Sequence, residues 1–143
     1  MDNNENKSEV KKMPRPNNIL RIVCDDNNDF FKWWCTLIRP LTKGLTNREM
    51  EVITSFLRQR WELSKHISDP AILDSVLMSE DTKRKVQEEC HITLSHFYVV
   101  MSKLRNNGII VNNTINPRLI PNIRNEEEDF LMMICIKGNP KKQ

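Results

Sequence analysis

The sequence predicts a mainly α-helical fold with a small β component, and three observations support this prediction. Helix-start signals recur through the middle of the chain, each with a capping side chain before an apolar, helically spaced segment. The segments that predict strands are confined to the two ends and to the residues after Gly108. Glycine is scarce, with 3 among 143 residues, as expected where tight turns only separate helices.

The clearest helix is predicted over residues 46–66. Thr46 and Glu49 match the S/T-x-x-E capping box, in which each side chain accepts a hydrogen bond from the backbone N–H of the other residue. Apolar residues then recur every three or four positions, as on the buried face of a helix. They are Met50, Ile53, Leu57 and Trp61.

Three further helices are predicted from their N-terminal signals. Asp69-Pro70 combines an N-cap residue with proline at the first helical position. Ser79 precedes a segment whose acidic first turn suits a helix N-terminus. Thr93 precedes the segment LSHFYVVMSKLRNN, and Gly108 follows it where a helix C-terminus favours a left-handed residue.

A short β-hairpin is predicted directly after this last helix. Apolar residues 109–111 and 114–115 flank Asn112-Asn113, and asparagine tolerates the positive φ of a tight hairpin turn. Two helices followed by a hairpin therefore form the predicted core, over residues 79–120.

Two further strands are predicted near the ends of the chain. Residues 19–24 (ILRIVC) and 130–136 (FLMMICI) are apolar and partly β-branched. We expect them to pair with each other or with the hairpin. This pairing would join both ends of a single domain, residues 19–137, to its core.

The remaining segments are one helix, one turn and two flexible ends. Residues 30–38 (FFKWWCTLI) predict an apolar, aromatic helix that ends before Pro40. The aspartates of residues 25–29 are explained by an Asx-rich turn without a metal ion. Residues 1–18 are polar and predict a disordered arm, and residues 138–143 predict a flexible tail.

The composition disfavours several classes of protein. The three glycines lie far apart, so phosphate-binding loops and nucleophile elbows are absent and we expect no enzyme. The four cysteines lack C-x2-C spacing, so we expect no metal and no other cofactor. No run reaches the roughly 18 apolar residues of a membrane helix, and the first residues lack the apolar region of a secretory signal.

The net charge of +3 is small, but the basic residues are clustered. Residues 30–67 carry seven basic and three acidic side chains, and residues 82–105 carry five and two. Residues 68–81, between them, carry four acidic side chains and no basic one. This asymmetry is compatible with a basic binding face.

Residues 86–110 (VQEECHITLSHFYVVMSKLRNNGII) carry the most specific pattern in the chain. They resemble the winged helix-turn-helix of small bacterial and phage DNA-binding proteins, with the pattern I-A-E-E-L-G-I-S-x-x-T-V-x-x-H-L-x-x-L-x-x-x-G-x-I. Gln87 stands where that pattern has alanine, and His91 stands where it has the turn glycine. Matching or chemically equivalent residues are Val86, Glu88, Glu89, Cys90, Ile92, Thr93, Phe97, Met101, Leu104, Gly108 and Ile110.

The resemblance implies a site on both helices and on the hairpin. In such proteins the first exposed residues of the second helix enter the major groove, which here implies Thr93, Ser95, His96 and Val99. Basic side chains of the two helices imply phosphate contacts, and the hairpin tip implies contact with a minor groove or the backbone. These further residues are Lys83, Arg84, Lys85, Lys103, Arg105, Asn112 and Asn113.

We therefore expect a protein that binds double-stranded DNA in the cytoplasm of a bacterial or phage-infected cell. It would be a small transcriptional regulator or accessory replication protein of a phage or plasmid. A homodimer through residues 30–38 is expected because such modules usually bind two-fold sites. The alternative is a winged-helix module that binds protein, as a phage adaptor or virion component, because Leu94, Tyr98 and Val99 make the outer helix face apolar.

Overall fold

A computed structural model describes residues 19–42, 44–123, 129–134 and 137–138. The predicted arm (1–18) and residues 139–143 of the predicted tail lie outside the described residues. Within the described ranges the protein is mainly helical with one two-stranded antiparallel sheet, as predicted. The elements are α1 (Asn27–Ile38), α2 (Asn47–Ser64), α3 (Pro70–Leu77), α4 (Glu80–Glu89), α5 (Leu94–Asn106), β1 (Ile110–Val111) and β2 (Thr114–Ile115). Single 3-10 turns follow α1 at Arg39–Leu41 and β2 at Pro117–Leu119.

α2 is the central helix, and the predicted capping box holds its N-terminus. The Glu49 backbone N–H donates to Thr46 Oγ1 at 3.2 Å, and the Thr46 backbone N–H donates to Glu49 Oε2 at 3.2 Å. The helix contacts α1, α3, α4 and α5. Burial of each large apolar side chain contributes roughly 1.5–3 kcal/mol. The buried apolar residues of α2 are Met50, Val52, Ile53, Phe56 and Leu57.

α1 begins at Asn27, before the predicted start at Phe30, because Asp26 caps it. The Asp26 side chain accepts a hydrogen bond from the Asp29 backbone N–H at 3.0 Å. The buried indole N–H of Trp34 donates to the Leu119 carbonyl at 2.8 Å. This bond joins α1 to the 3-10 turn after the hairpin, 85 residues along the chain.

The turn between α4 and α5 is built without glycine. Ile92 N–H donates to the Gln87 carbonyl at 3.3 Å, and His91 N–H donates to the Glu88 carbonyl at 3.2 Å. These two bonds form a Schellman motif, in which the residue after the C-cap is left-handed. Here that residue is His91, with φ of 52°.

α5 ends in the same motif, with glycine at the left-handed position. Ile109 N–H donates to the Leu104 carbonyl at 2.9 Å, and Gly108 N–H donates to the Arg105 carbonyl at 3.2 Å. Gly108 has φ of 73°, as predicted from its position. Leu104 and Ile109 are both buried, which places the usual apolar contact of this motif in the core.

The predicted hairpin is confirmed. β1 and β2 pair antiparallel with Ile110 opposite Ile115. Asn112 and Asn113 have φ of 53° and 59°, the two positive values that a type I′ turn requires. β1 packs against α5 and β2 against α3, so the hairpin lies beside the helix that precedes it.

The predicted strand at residues 19–24 is wrong. The segment forms no strand, and its apolar side chains are exposed, Leu20 by 92% and Val23 by 81%. A β-branched segment becomes a strand only where a second strand supplies partners for its N–H and C=O groups. The described residues supply no such partner to this segment.

The predicted strand at residues 130–136 is also wrong over its described part, which ends at residue 134. The ring of Phe130 instead packs edge-on against Phe30 and Trp34 of α1, with centroid distances of 5.2 and 5.7 Å. Aromatic packing, and not strand pairing, therefore attaches this segment to the core.

The two Schellman motifs predict different responses to substitution at their left-handed residues. Gly108→Ala is expected to lower the free energy of unfolding by about 1 kcal/mol, because left-handed φ strains a residue with a Cβ. No atom lies within 4 Å of an added Cβ there, so a steric clash is not involved. His91→Gly is expected to stay within about 1 kcal/mol of wild type, and His91→Val to lie about 1–2 kcal/mol below His91→Gly.

Urea denaturation followed by circular dichroism measures these differences. Gly138→Ala is the matched control, because no left-handed φ is found at Gly138. An unchanged midpoint for Gly108→Ala would show that the left-handed conformation does not limit stability at this helix end.

Candidate nucleic-acid interface

α5 presents one face to the core and the opposite face to solvent. The Phe97 ring lies 6.3 Å from that of Phe56 on α2. The helix has 13 residues. At 1.5 Å per residue it is roughly 20 Å long, which exceeds the ~12 Å width of a DNA major groove. The buried residues of α5 are Phe97, Val100, Met101 and Leu104.

The outer face of α5 carries a polar stripe with one apolar member. Ser95, Val99, Ser102 and Asn106 are exposed, and their spacing of four, three and four residues places them in one row. The hydroxyl and amide groups can donate and accept hydrogen bonds at base edges, and valine can contact a thymine methyl group. The structure therefore brings predicted residues Ser95 and Val99 together on one exposed surface.

Thr93 and His96 have different positions in this helix. Thr93 is the N-cap, and its Oγ1 accepts the His96 backbone N–H at 3.2 Å. Its first role is therefore to fix the start of α5. The exposed His96 imidazole lies on the same flank as Lys103, two helical turns away.

Lys103, a predicted phosphate contact, is held by an ion pair inside the chain. Its Nζ lies 3.1 Å from Oε1 of Glu49, a residue that is only 4% exposed. The other oxygen, Oε2, accepts the Thr46 hydroxyl at 2.8 Å. A phosphate would have to compete with a buried carboxylate for Lys103, so this side chain primarily connects α5 to α2.

The environment of Glu49 keeps it charged. Burial by itself raises the pKa of this carboxyl, but the hydrogen bonds from Thr46 and the ammonium of Lys103 outweigh it. The net effect is a lowered pKa. The ion pair with Lys103 is therefore fully formed at neutral pH.

The structure does not bring the three basic residues of α4 onto one face. Consecutive helical residues point about 100° apart. Lys83 lies 3.8 Å from Glu80, and Arg84 lies 3.6 Å from Asp81, so both charges are balanced locally. Lys85 is exposed, with no ion-pair partner among the described residues.

Arg105 is the second predicted cation that stays unpaired in the described part of the chain. It is exposed in the last turn of α5, where a positive charge also suits the helix dipole. Lys85 and Arg105 are therefore the predicted side chains most available to phosphates.

The hairpin tip is anchored to the end of α5. Asn112 and Asn113 are exposed and carry amide donors and acceptors. Below them, Asn116 Nδ2 donates to the Gly108 carbonyl at 3.1 Å, and the Asn116 backbone N–H donates to the Ile109 carbonyl at 2.8 Å. These bonds fix the position of the tip relative to α5.

Apolar side chains flank the polar stripe, as the sequence predicts. Leu94, Tyr98 and Val99 are exposed by 53%, 54% and 64%. Several exposed apolar side chains on one element favour contact with another molecule. Base methyl groups and a protein surface both fit this chemistry.

Sequence reasoning missed one exposed polar residue of this face and one exposed cation elsewhere on the chain. Asn106 extends the stripe, and its spacing of four residues from Ser102 is the signal that could have indicated it. Arg118 lies in the 3-10 turn after β2, exposed and without an ion-pair partner in the described residues. No local pattern marks Arg118, because its place depends on how the hairpin folds.

The buried thiols are unreactive. Burial raises the pKa of Cys35 to about 11, and burial with the carboxylates of Glu51 and Glu89 raises that of Cys90 to about 11. Both are protonated at neutral pH and are poor nucleophiles. In the part of the chain that is described, no three side chains of metal-binding type come together.

Comparison of the chain with protein-family models, curated proteins and solved structures finds no match. None of the described helices combines the length and apolar character needed to cross a membrane. The functional proposal for this chain therefore rests on the exposed face of α5 and the side chains around it.

Glu49→Gln is expected to lower the free energy of unfolding at neutral pH by about 1–3 kcal/mol, because the amide cannot balance Lys103. Since the pKa of Glu49 is lower in the folded chain, the unfolded chain binds more protons at acidic pH. The stabilisation is therefore present above the unfolded pKa of about 4.3 and is lost as pH falls through the folded value. Urea unfolding of wild type and variant from pH about 7 down to about 3 measures this difference.

Glu62→Gln is the matched control, because its ion pair with Lys65 is exposed and should contribute little. Part of the acid sensitivity remains in Glu49→Gln, since the pKa of Glu89 is also lowered. Parallel pH profiles for wild type and Glu49→Gln would contradict a stabilising role for the charge.

Proposed function

We propose that the chain is a winged-helix protein that binds double-stranded DNA, with α4 and α5 as the helix-turn-helix and β1–β2 as the wing. The order of elements supports this proposal: two helices joined by a tight turn, followed at once by a hairpin. A second observation supports the proposal more strongly than the order of the elements. The outer face of α5 is exposed along its whole length and presents hydrogen-bonding groups in a single row.

In this proposal α5 lies in the major groove and reads base edges. Ser95 and Ser102 donate or accept hydrogen bonds, Asn106 is suited to adenine, and Val99 contacts thymine methyl groups. His96 adds a second polar group at the flank. The capping bond of Thr93 keeps the first turn of α5 rigid, so that these groups are presented in a fixed geometry.

Phosphate contacts in this proposal come from the unpaired cations. Lys85 on α4, Arg105 at the end of α5 and Arg118 after the wing are exposed. Lys83, Arg84 and Lys103 contribute less because each faces a carboxylate of its own chain. The amides of Asn112 and Asn113 reach the DNA backbone or a minor groove at the wing tip.

We further propose a small phage or plasmid regulator or accessory replication protein that binds as a homodimer. Trp33 and Leu37 support a contact through α1, since they lie on its outer face and are exposed by 44% and 39%. Two copies would double the number of phosphate contacts, which would raise the affinity of a face that has few free cations.

Fluorescence anisotropy with a labelled random duplex tests the proposal. Affinity should fall steeply between about 50 and 200 mM salt, and Lys85→Gln and Arg105→Gln should each reduce the salt slope by about 1. Lys65→Gln is the matched control, because Lys65 follows the far end of α2, about 24 Å along the helix from Glu49. It should leave affinity and slope unchanged.

Absence of duplex binding at low salt would overturn the DNA proposal. Equal losses in Lys85→Gln and Lys65→Gln would also overturn it, since they would show a general charge effect. Lys103 is unsuitable for this test because its removal disturbs the ion pair with Glu49.

A second candidate function is protein binding by the same face of α5. The exposed Leu94, Tyr98 and Val99 favour it, because each adds apolar area that a partner would cover. An adaptor or virion component of this kind would bind its partner with little dependence on salt. It would lose affinity on Tyr98→Ala while showing no affinity for duplex DNA.

A further inference from the structure

An open cleft of about 1010 Å³ lies beside the turn between α4 and α5. Its walls are α1, the part of α2 up to Arg58 and the end of α4 with His91. The volume is at the upper end of the range for small-molecule sites, and nothing in the DNA-binding proposal uses this cleft.

The lining of the cleft has an excess of positive charge. Four cationic side chains line it, against only two carboxylates, Glu51 and Glu89. Asn47 and Arg48, the first two residues of α2, also lie at its edge, so the partial positive charge of that helix end adds to the field. The cationic residues are Lys32, Arg39, Arg48 and Arg58.

Two of the arginines are held in position while most of their donors remain free. Arg39 Nη1 donates to Asn47 Oδ1 at 2.7 Å, and Arg39 Nη2 donates to the Leu45 carbonyl at 3.3 Å. Arg48 Nη1 donates to Glu51 at 2.8 Å, and Arg48 Nη2 donates to the His91 carbonyl at 2.9 Å. A guanidinium has five N–H donors, so each arginine keeps unused donors in a fixed plane.

The remaining charged side chains of the lining differ in whether they already have hydrogen-bond or ion-pair partners. Glu89 is fully engaged, accepting hydrogen bonds from Ser55 at 2.6 Å and Gln59 at 2.8 Å and forming an ion pair with Arg58. Lys32 is exposed on α1 and has no partner for its ammonium among the described residues. The cleft therefore combines anchored guanidiniums with one free ammonium.

We propose that this cleft binds a small molecule that carries phosphate groups. Planar guanidiniums match the oxygens of a phosphate in pairs, and the excess of positive charge favours an anionic ligand. Lys32 on α1, Arg39 in the 3-10 turn after it and Arg48 on α2 contact the phosphates. The hydroxyls of Thr36 and Thr54 donate to the backbone carbonyls of Lys32 and Met50, so their oxygens are left to accept hydrogen bonds from the rest of the ligand.

Isothermal titration calorimetry of the full chain with pyrophosphate and with ATP tests the proposal. At least one of these probes should bind with one site per chain and a Kd of about 0.1 mM or tighter. Lys32→Gln and Arg39→Gln should each weaken binding about tenfold, as expected for a lost charge-assisted contact. Lys65→Gln, outside the cleft, should leave Kd within about twofold of wild type.

If Arg39→Gln fails to fold, Lys32→Gln still tests the proposal, since the Lys32 ammonium has no hydrogen-bond or ion-pair partner among the described residues. No saturable binding of either probe up to about 10 mM would overturn the proposal. So would equal affinity for citrate, or an equal loss in Lys65→Gln. If neither probe binds and Lys32→Gln weakens duplex DNA binding, the cleft is a DNA contact and the small-molecule proposal is wrong.

Discussion

The orientation of α5 depends on the buried carboxylate of Glu49. One of its oxygens closes the capping box that starts α2, and the other faces the ammonium of Lys103 on α5. Removal of Lys103 would leave the carboxylate of Glu49 without its cation in a poorly solvated position. One side chain thus links the start of the central helix to the exposed helix. The row from Ser95 to Asn106 faces solvent because the opposite face of α5 is buried, and the pair of Lys103 with Glu49 adds a polar connection to α2.

The same ion pairing limits how the surface can bind a polyanion. Lys83, Arg84 and Lys103 are balanced by carboxylates of the same chain, so they add little net field around α5. Lys85 and Arg105 are the predicted cations whose charge remains to attract a polyanion at long range. A DNA-binding protein with so few free cations gains less affinity from counterion release. Such a protein must obtain more of its affinity from contacts in the DNA groove or from a second copy of the chain. The exposed apolar groups of α5 suit contacts in the groove.

The helices could be predicted from the sequence because their signals are local. Thr46, Asp69, Ser79 and Thr93 all cap the helices that they precede, and the apolar spacing identifies the buried faces. The strands predicted near the two ends were wrong, because residues 19–24 look like a strand whether or not a partner strand lies beside them. The pairing of Lys103 with Glu49 joins residues more than fifty positions apart, and no local pattern contains it. The cleft is hidden for the same reason, since three helices contribute its charges.

His91 connects the two surfaces. Its carbonyl accepts a hydrogen bond from Arg48 at the edge of the cleft, and its left-handed backbone forms the turn between α4 and α5. Glycine would adopt this φ more readily, but it would also give the unfolded chain more conformations to lose on folding. The Schellman hydrogen bonds and the hydrogen bond from Arg48 stabilise the left-handed conformation of His91. The turn therefore keeps the backbone geometry that glycine would adopt, although it carries a histidine side chain. Arg48 therefore contacts both the turn and the cleft, and His91 lies where the lining of the cleft meets the turn that leads into α5.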